Sequence, residues 1–234
     1  MEPVPEDWQR ALTIVAHPDD LEYGASAAIA RWTAAGKEVV QLLATRGEAG
    51  IDSMDPAEVA RIRAEEQVAA ARLVGVETVE FLDHPDGMLE YGLPLRRDLA
   101  RAIRRHRPDV VVSLNFRETW AGGQGFNMAD HRVLGLAVAD AVRDAANRWV
   151  FRDLAEEPWQ GVRFALFANS PAAGHYVDVT GHLAAGVASL RAHRIYFENL
   201  GQDFDPDAFL TGIAAGTGSR VGITHAMPFE LIEL

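Results

Sequence analysis

The chain has 234 residues, of which 48% are hydrophobic and 24% charged, a balance typical of a globular protein with a sizeable core. Asp and Glu outnumber Lys and Arg by 34 to 22, and the net charge of −12 argues against a nucleic-acid-binding protein and against adsorption to an anionic membrane. The chain has no cysteine, which excludes disulfides and cysteine nucleophiles, so any metal must be held by histidine and carboxylate side chains.

Neither a secretion signal nor a membrane span is predicted. Residues 1–7 are acidic and contain two prolines, whereas a signal peptide begins with a basic region followed by an apolar one. No apolar run approaches the roughly 20 residues needed to cross a bilayer. We therefore expect a cytoplasmic protein.

The N-terminal half predicts strands that alternate with helices. Short β-branched apolar runs mark the strands, and apolar residues at helical spacing mark the helices. Such alternation indicates right-handed βαβ units and a mostly parallel sheet. The predicted strands are 12–16, 38–45, 78–82 and 109–114, and the predicted helices are 24–35, 57–74, 94–106 and 130–146.

The C-terminal part has a looser pattern, with strands predicted at 163–168 and 176–179, helices at 182–199 and 206–218, and a closing segment at 221–234. The predicted fold class is α/β, with a Rossmann-like, mostly parallel sheet that has helices on both faces. A smaller C-terminal α+β portion follows. We expect one domain over residues 1–234, with a core at about 10–150 and a C-terminal portion at about 151–234.

The first strand ends in four residues that bear chemistry, His17-Pro18-Asp19-Asp20, and Gly24 then opens a helical segment. Polar residues between a strand and a helix lie at the carboxyl edge of an α/β sheet, where such folds bind their ligands. His17 and Asp20 can turn toward one metal ion. Asp19 then remains beside the ion as a proton acceptor.

A third ligand is needed, because zinc hydrolases typically use three protein ligands and keep one position open. Asp130-His131 is the strongest candidate, since it begins a helix that follows a later strand and loop. His17, Asp20 and His131 would form a set of two histidines and one carboxylate, which suits zinc or a similar divalent ion. Such an ion lowers the pKa of a bound water toward 7, and a nearby carboxylate can accept the proton.

The plain structural alternative for His17-Pro18-Asp19-Asp20 is a turn with helix-capping carboxylates, because Asp is favoured at helix starts. Two observations favour a functional site instead. The tetrapeptide directly follows the first strand, and a second histidine-bearing loop follows a later strand.

These segments together match one known family. Ala-His-Pro-Asp-Asp stands intact at residues 16–20, and a second motif ending in Asp-His stands at residues 130–131. In these motifs the chain resembles the PIG-L (LmbE-like) deacetylase family, whose members have a Rossmann-like fold. Weaker matches over about residues 10–200 are Thr45-Arg46-Gly47-Glu48, Arg63, Glu66, Pro85-Asp86-Gly87, Leu190 and His193.

The resemblance implies an activity and a set of catalytic residues. Members of this family hydrolyse N-acetyl groups of amino sugars and related glycosides, generally with zinc. The implied metal ligands are His17, Asp20 and His131, and the implied general base is Asp19. Zinc is the expected cofactor, with another divalent metal as the alternative.

The predicted substrate-binding residues are Arg63, Glu66, Asp130 and Trp120. The resemblance implies that Arg63 contacts substrate hydroxyls, and a guanidinium can clamp a sugar by paired hydrogen bonds. The match also distinguishes Glu66 from the ordinary solvated charges of the same helix. Trp120 lies in the 115–129 loop, and the size of the pocket around it would discriminate an acetyl from a larger acyl group.

The second motif departs from the family pattern. Many members carry His-Pro-Asp-His there, and the first histidine is thought to stabilise the oxyanion or to protonate the leaving amine. Met128 occupies that position in this chain, and the loss of one oxyanion donor typically lowers the rate by about 100- to 1,000-fold. The possible substitutes are Asn127, His175, His182 and His193.

The leading hypothesis is a zinc-dependent hydrolase that removes an N-acetyl group from an amino-sugar-containing small molecule. One alternative is an amidase for a larger acyl group or a mycothiol-conjugate-like substrate. Another is a metal-binding homologue with weak or lost turnover, which the absent histidine suggests. A nucleotide-binding domain is disfavoured, since no Gly-x-Gly-x-x-Gly follows the first strand. The expected partner is the small-molecule substrate, without nucleic acid or membrane, and self-association into a homo-oligomer stays open.

Overall fold

The computed structural model describes residues 1–123, 125–200 and 204–234. Eight strands in the described residues form one sheet in the order β1-β7-β8-β6-β5-β2-β3-β4. The strands are β1 Glu2–Pro3, β2 Arg10–Val15, β3 Glu38–Leu43, β4 Thr78–Phe81, β5 Val110–Leu114, β6 Phe164–Ala168, β7 His175–Asp178 and β8 Ala226–Glu233.

The centre of the sheet is parallel, as the alternating pattern predicted. Strands β4, β3, β2, β5 and β6 are neighbours and run in the same direction. The strand β8 lies antiparallel between β6 and β7. The side chains of Val110–Leu114 in β5 are all buried, because a parallel strand covered on both faces has no solvent side.

Helices cover both faces of the sheet, and the predicted α/β fold class is confirmed. One core cluster joins the sheet to α1, α5 and α7, and the other joins it to α3 and α4. Fully burying one large aliphatic side chain contributes about 1.5–3 kcal/mol. The helices are α1 Ser26–Ala34, α2 Pro56–Leu73, α3 Leu93–His106, α4 Ala129–Ala146, α5 Leu183–Arg191, α6 Arg194–Glu198 and α7 Pro206–Val221.

The helix predicted over 182–199 is wrong as one element, because the chain breaks at His193 between α5 and α6. The Glu66 carboxylate of α2 accepts hydrogen bonds from the amides of Ile195 and Tyr196, at 2.6 and 3.4 Å. In a continuous helix those two amides would bond to carbonyls four residues earlier. A contact with a distant helix therefore replaces local helical bonds.

The C-terminal portion completes the sheet of the N-terminal core. The closing segment becomes β8, which is paired with β6 and β7, while α5 and α7 share a face with α1. Because one sheet runs through both portions, we propose that residues 1–234 are one domain. In the described part of the chain, no helix combines the length and apolar character that a bilayer crossing requires.

Candidate metal-dependent active site

Segments that follow the parallel strands β2, β3, β4 and β5 meet around a cavity of about 780 Å³. The turn after β2 carries His17 and Asp20 into it, and the start of α4 carries His131. Adjacent parallel strands end at the same edge of the sheet. Residues more than 100 positions apart in the chain therefore face one another.

The three predicted metal ligands lie together and are buried. The Nε2 atom of His131 is 3.0 Å from Asp20 Oδ1 and 3.2 Å from His17 Nδ1. The other oxygen of Asp20 accepts hydrogen bonds from the amides of Ala16 and His17, at 3.0 and 2.9 Å. The turn thus fixes Oδ2, which is 3.7 Å from His17 Nδ1, and the other oxygen faces His131.

Contacts behind each histidine select which ring nitrogen faces the other. His17 Nε2 lies 2.9 Å from Asp86 Oδ1 and 3.2 Å from Asp130 Oδ2. His131 Nδ1 lies 3.1 Å from the side-chain oxygen of Asn127. Since carboxylate and amide oxygens only accept hydrogen bonds, each histidine presents its N–H to them. When both rings are neutral, the lone pairs of His17 Nδ1 and His131 Nε2 then point toward each other.

The side-chain amide of Asn127 can take only one orientation. Its Nδ2 donates to the carbonyls of Asn115 and Arg117, at 2.7 and 3.0 Å. Its oxygen therefore faces His131 and also accepts from the amide of Met128 at 2.8 Å. Such outer contacts fix the tautomer and the ring orientation of a metal-binding histidine.

The convergence of two nitrogen lone pairs and a carboxylate oxygen is the physical reason that these residues fit a divalent cation. Unless a proton or a metal cation lies between them, acceptor atoms at these distances repel one another. A second group of three, His17, Asp86 and Asp130, also lies close together. In this second group His17 Nε2 already contacts both carboxylates, at 2.9 and 3.2 Å, so its members are bonded to one another. His17, Asp20 and His131 are therefore the residues that could hold a cation, and their donor atoms suit zinc.

The pKa values of His17 and Asp20 are shifted by their mutual contacts. Burial alone lowers the pKa of His17, but the carboxylates of Asp130, Asp20 and Asp86 outweigh it, and the pKa lies well above its ordinary value. Burial raises the pKa of Asp20, yet His131 and His17 lower it to far below its ordinary value. The pocket therefore stabilises positive charge between these groups.

The Asp19 carboxylate contacts Arg63 and shares the cavity with His17, Asp20 and His131. Its φ of +80° is left-handed, which is uncommon for a residue with a side chain. The carboxylate Oδ2 lies 3.2 Å from Arg63 Nη2, and Asp19 lines the same cavity. Burial raises the pKa of Asp19 to about 6, although the charge of Arg63 partly opposes the rise. A carboxylate with this pKa near neutral pH is suited to accept a proton.

The four predicted substrate-binding residues have different surroundings. Arg63 and Trp120 line the cavity, and the Trp120 ring packs edge-on against His131 with centroids 5.5 Å apart. Arg63 donates to the carbonyls of Gly47 and Pro18 as well as to Asp19. The other two are engaged in the protein interior, since Glu66 binds the amides at the start of α6 and Asp130 lies behind His17.

Sequence reasoning assigned no role to two residues near the site. Asp86 lines the cavity next to His17, and its position after β4 in Pro85-Asp86-Gly87 was the signal that could have identified it. Gln67 is buried, and its side-chain oxygen accepts the amide of Asp19 at 2.9 Å. It belongs to the same helix as many solvated charges, so the sequence pattern alone offered no signal.

None of the possible substitutes for the absent histidine reaches the cavity wall. His175 is in β7, His182 precedes α5, and His193 is fully buried, and these three are absent from the cavity lining in the described part of the chain. Asn127 uses its amide behind His131, as described above. Met128 itself lines the cavity and is 53% exposed.

Comparisons with known proteins agree with this geometry. The family model PIG-L, described as GlcNAc-PI de-N-acetylase, matches residues 12–142. A diacetylchitobiose deacetylase of Thermococcus kodakarensis is 29% identical, over 94% of this chain and 82% of the relative. A 1D-myo-inositol 2-acetamido-2-deoxy-alpha-D-glucopyranoside deacetylase of Kineococcus radiotolerans is 31% identical, over 79% and 68%. The solved N,N'-diacetylchitobiose deacetylase of Pyrococcus horikoshii superimposes with a TM-score of 0.84 and 25% identity, covering 97% of this chain and 85% of that one.

The chain therefore belongs to the PIG-L family, and the resemblance seen in the sequence motifs is confirmed. The family match includes both motif segments, because residues 16–20 and 130–131 lie inside the matched range.

Proposed function

We propose that this protein is a metal-dependent hydrolase that removes an N-acetyl group from an amino-sugar-containing small molecule. One observation carries the proposal. The lone pairs of His17, Asp20 and His131 converge, and a buried carboxylate that is not a ligand, Asp19, shares their cavity. The two curated relatives named above are both deacetylases of amino-sugar compounds, which supports the same reaction.

Each residue has a role in this reaction. His17, Asp20 and His131 would hold the ion, and zinc is the metal that their donor set suits best. A bound divalent cation supplies Lewis acidity, which activates water and polarises the amide carbonyl. Asp19 accepts the proton from the attacking water, and Arg63 holds the Asp19 carboxylate toward the cavity.

The absent histidine leaves the leaving amine without its usual proton donor, and Asp19 is suited to this second role. After accepting the proton from water, Asp19 carries it within the same cavity, and its raised pKa of about 6 keeps the proton transferable. Apart from His17 and His131, no histidine of the described residues lines the cavity. One carboxyl group acting first as base and then as acid conserves the proton.

Acetate release from N-acetylglucosamine and from N,N'-diacetylchitobiose tests this proposal, using protein loaded with one equivalent of zinc. We expect turnover by the wild type and a loss of about 100- to 10,000-fold in kcat for Asp19→Asn, which keeps the size of the side chain. Wild-type activity that equals that of Asp19→Asn across the panel would refute it.

A larger acyl group or aglycone is the second candidate for the substrate. The cavity of about 780 Å³ has an apolar wall that includes Trp120, Met128, Phe209 and Ile213, and apolar walls favour apolar groups. A series of N-acyl glucosamines from acetyl to octanoyl separates the two candidates. A kcat/KM that rises with chain length favours the larger acyl group, and one that falls favours acetyl.

We also propose the metal, the location and the partner that the sequence predicted. The cellular metal is zinc, the location is cytoplasmic, and the partner is the amino-sugar substrate. The net charge of −12 supports a protein that binds neither nucleic acid nor anionic membranes. A homo-oligomer stays open and is tested by light scattering.

A further inference from the structure

A buried polar network lies behind Asp19, on the side away from the cavity. Buried polar side chains are costly unless they are hydrogen-bonded, so a network like this needs a physical reason. Its members come from the turn after β2, from β3, and from the helices α2 and α5 with the residue between α5 and α6. They are Glu22, Gln41, Gln67, Ser189 and His193, each at most 1% exposed.

The amide of Gln67 is at the centre of the network and has one possible orientation. Its Nε2 lies 3.2 Å from Glu22 Oε1 and 3.1 Å from Gln41 Oε1, and both atoms only accept hydrogen bonds. Its oxygen therefore faces the opposite way, where it accepts the backbone N–H of Asp19 at 2.9 Å. A flipped amide would lose all three bonds.

The bond to Asp19 acts on the strained part of the turn. At φ +80° Asp19 has a conformation that side chains disfavour. The same conformation separates two neighbouring carboxylates, because Asp20 faces His131 while Asp19 faces Arg63. Gln67 bonds to the N–H of the strained residue itself.

Glu22 in turn holds the amide of Gln67. Its Oε1 also accepts the hydroxyl of Ser189 at 3.2 Å, and its Oε2 is 3.7 Å from His193 Nε2. These partners belong to α5 and to the break before α6. The turn that carries Asp19 and Glu22 is thereby tied directly to the C-terminal helices.

We propose that Gln67 is a positioning residue, held in place by Glu22, that keeps Asp19 in the left-handed conformation and aims its carboxylate into the cavity. This inference rests on the proposed function of Asp19 as the proton acceptor. A remote substitution that displaces a reacting group by about 1 Å can lower the rate by about 100-fold. A network with a purely structural role would change stability and leave the proton transfer intact.

The test compares Gln67→Leu with Gln41→Leu. Both replace a buried glutamine of the network by an apolar residue, but Gln41 has no bond to Asp19. We expect Gln67→Leu to lower kcat by about 10- to 100-fold, with KM and zinc affinity within threefold of the wild type. Gln41→Leu should stay within threefold of the wild-type kcat. Equal kcat values for the two variants would overturn the inference.

A double-mutant cycle with Asp19→Asn separates positioning from general disruption. If Gln67 acts through Asp19, Gln67→Leu lowers kcat no further in the Asp19→Asn background. A full additional loss would contradict the inference.

If Gln67→Leu does not fold, the reciprocal exchange of Gln67→Glu with Glu22→Gln tests the positioning role of Gln67 instead. The exchanged pair keeps an acceptor for the Asp19 amide and one donor between the two side chains. We expect Gln67→Glu alone to lower kcat and the pair to return it to within threefold of the wild type. A pair no better than the single variant overturns the inference, whereas a wild type inactive on every substrate overturns the proposed function itself.

Discussion

Replacing Arg63 by lysine keeps the charge but removes the fork-shaped guanidinium. Arg63 is 3% exposed, donates to Gly47 O, Pro18 O and Asp19 Oδ2 at 3.0, 2.7 and 3.2 Å, and lies 4.0 Å from the centroid of the Tyr196 ring. Lysine carries one nitrogen, whereas Arg63 uses Nη1 for Gly47 O and Nη2 for Pro18 O and Asp19 Oδ2. The substitution therefore loses at least one charge-assisted hydrogen bond, and such a bond contributes about 1.5–3 kcal/mol.

Taking the upper value for one lost bond, we expect Arg63→Lys to reduce the free energy of unfolding by about 3 kcal/mol. For a chain of this length, 1 kcal/mol corresponds to about 2–4 °C in Tm, so the midpoint should fall by about 6–12 °C. Differential scanning calorimetry at pH 7 measures it. The control is Arg61→Lys on the same helix, whose exposed ion pair with Glu65 contributes about 0.3–0.5 kcal/mol. A decrease in Tm below 3 °C for Arg63→Lys, or one equal to that of the control, would refute the reasoning.

Three further predictions follow from the site. Burial raises the pKa of Asp19 to about 6, and a bound cation lowers it. Because the protonated carboxyl cannot accept a proton, kcat/KM should fall about tenfold per pH unit below an apparent pKa of about 6 or less. An apparent pKa above 7 for this acidic limb contradicts the prediction. Asn127→Leu removes the acceptor behind His131 and should weaken zinc binding by about 10- to 100-fold in chelator competition, whereas unchanged affinity denies its role. Met128→His places an imidazole on the cavity wall and should raise kcat by about tenfold or more, since general acids contribute about 100- to 10,000-fold; no increase would show that proton donation to the amine does not limit the rate.

The fold class could be predicted because its signals are local. The apolar run of β5, Val110–Leu114, has no solvent-facing position, and strands that alternate with helices indicate a parallel sheet. Element bounds came within three residues of those observed wherever the pattern was regular. The antiparallel insertion of β8 between β6 and β7 was not predictable, because strand order depends on pairing between residues far apart in the chain.

The helix α2 shows most clearly what local pattern cannot decide. Arg61, Arg63, Glu66 and Gln67 lie within two turns of one polar segment. Their spacing does not separate buried from solvated positions, and the family resemblance singled out Arg63 and Glu66 but not Gln67. In the structure Arg61 pairs with Glu65 in solvent, while the other three are buried and bond to the Asp19 turn or to α6. Only the packing of α2 against the turn and α6 distinguishes them.

The sequence by itself determined the chemistry of the site. A histidine and two carboxylates at the end of the first strand, with a second histidine at the start of a later helix, fix the available donor atoms whatever the detailed packing. The tertiary structure decided the direction in which each of those side chains points. The left-handed conformation of Asp19 turns it toward Arg63, and Asp130 and Asn127 orient His17 and His131 from behind. The reason is that donor identity is a property of single residues, whereas direction and pKa depend on contacts between segments that are distant in sequence.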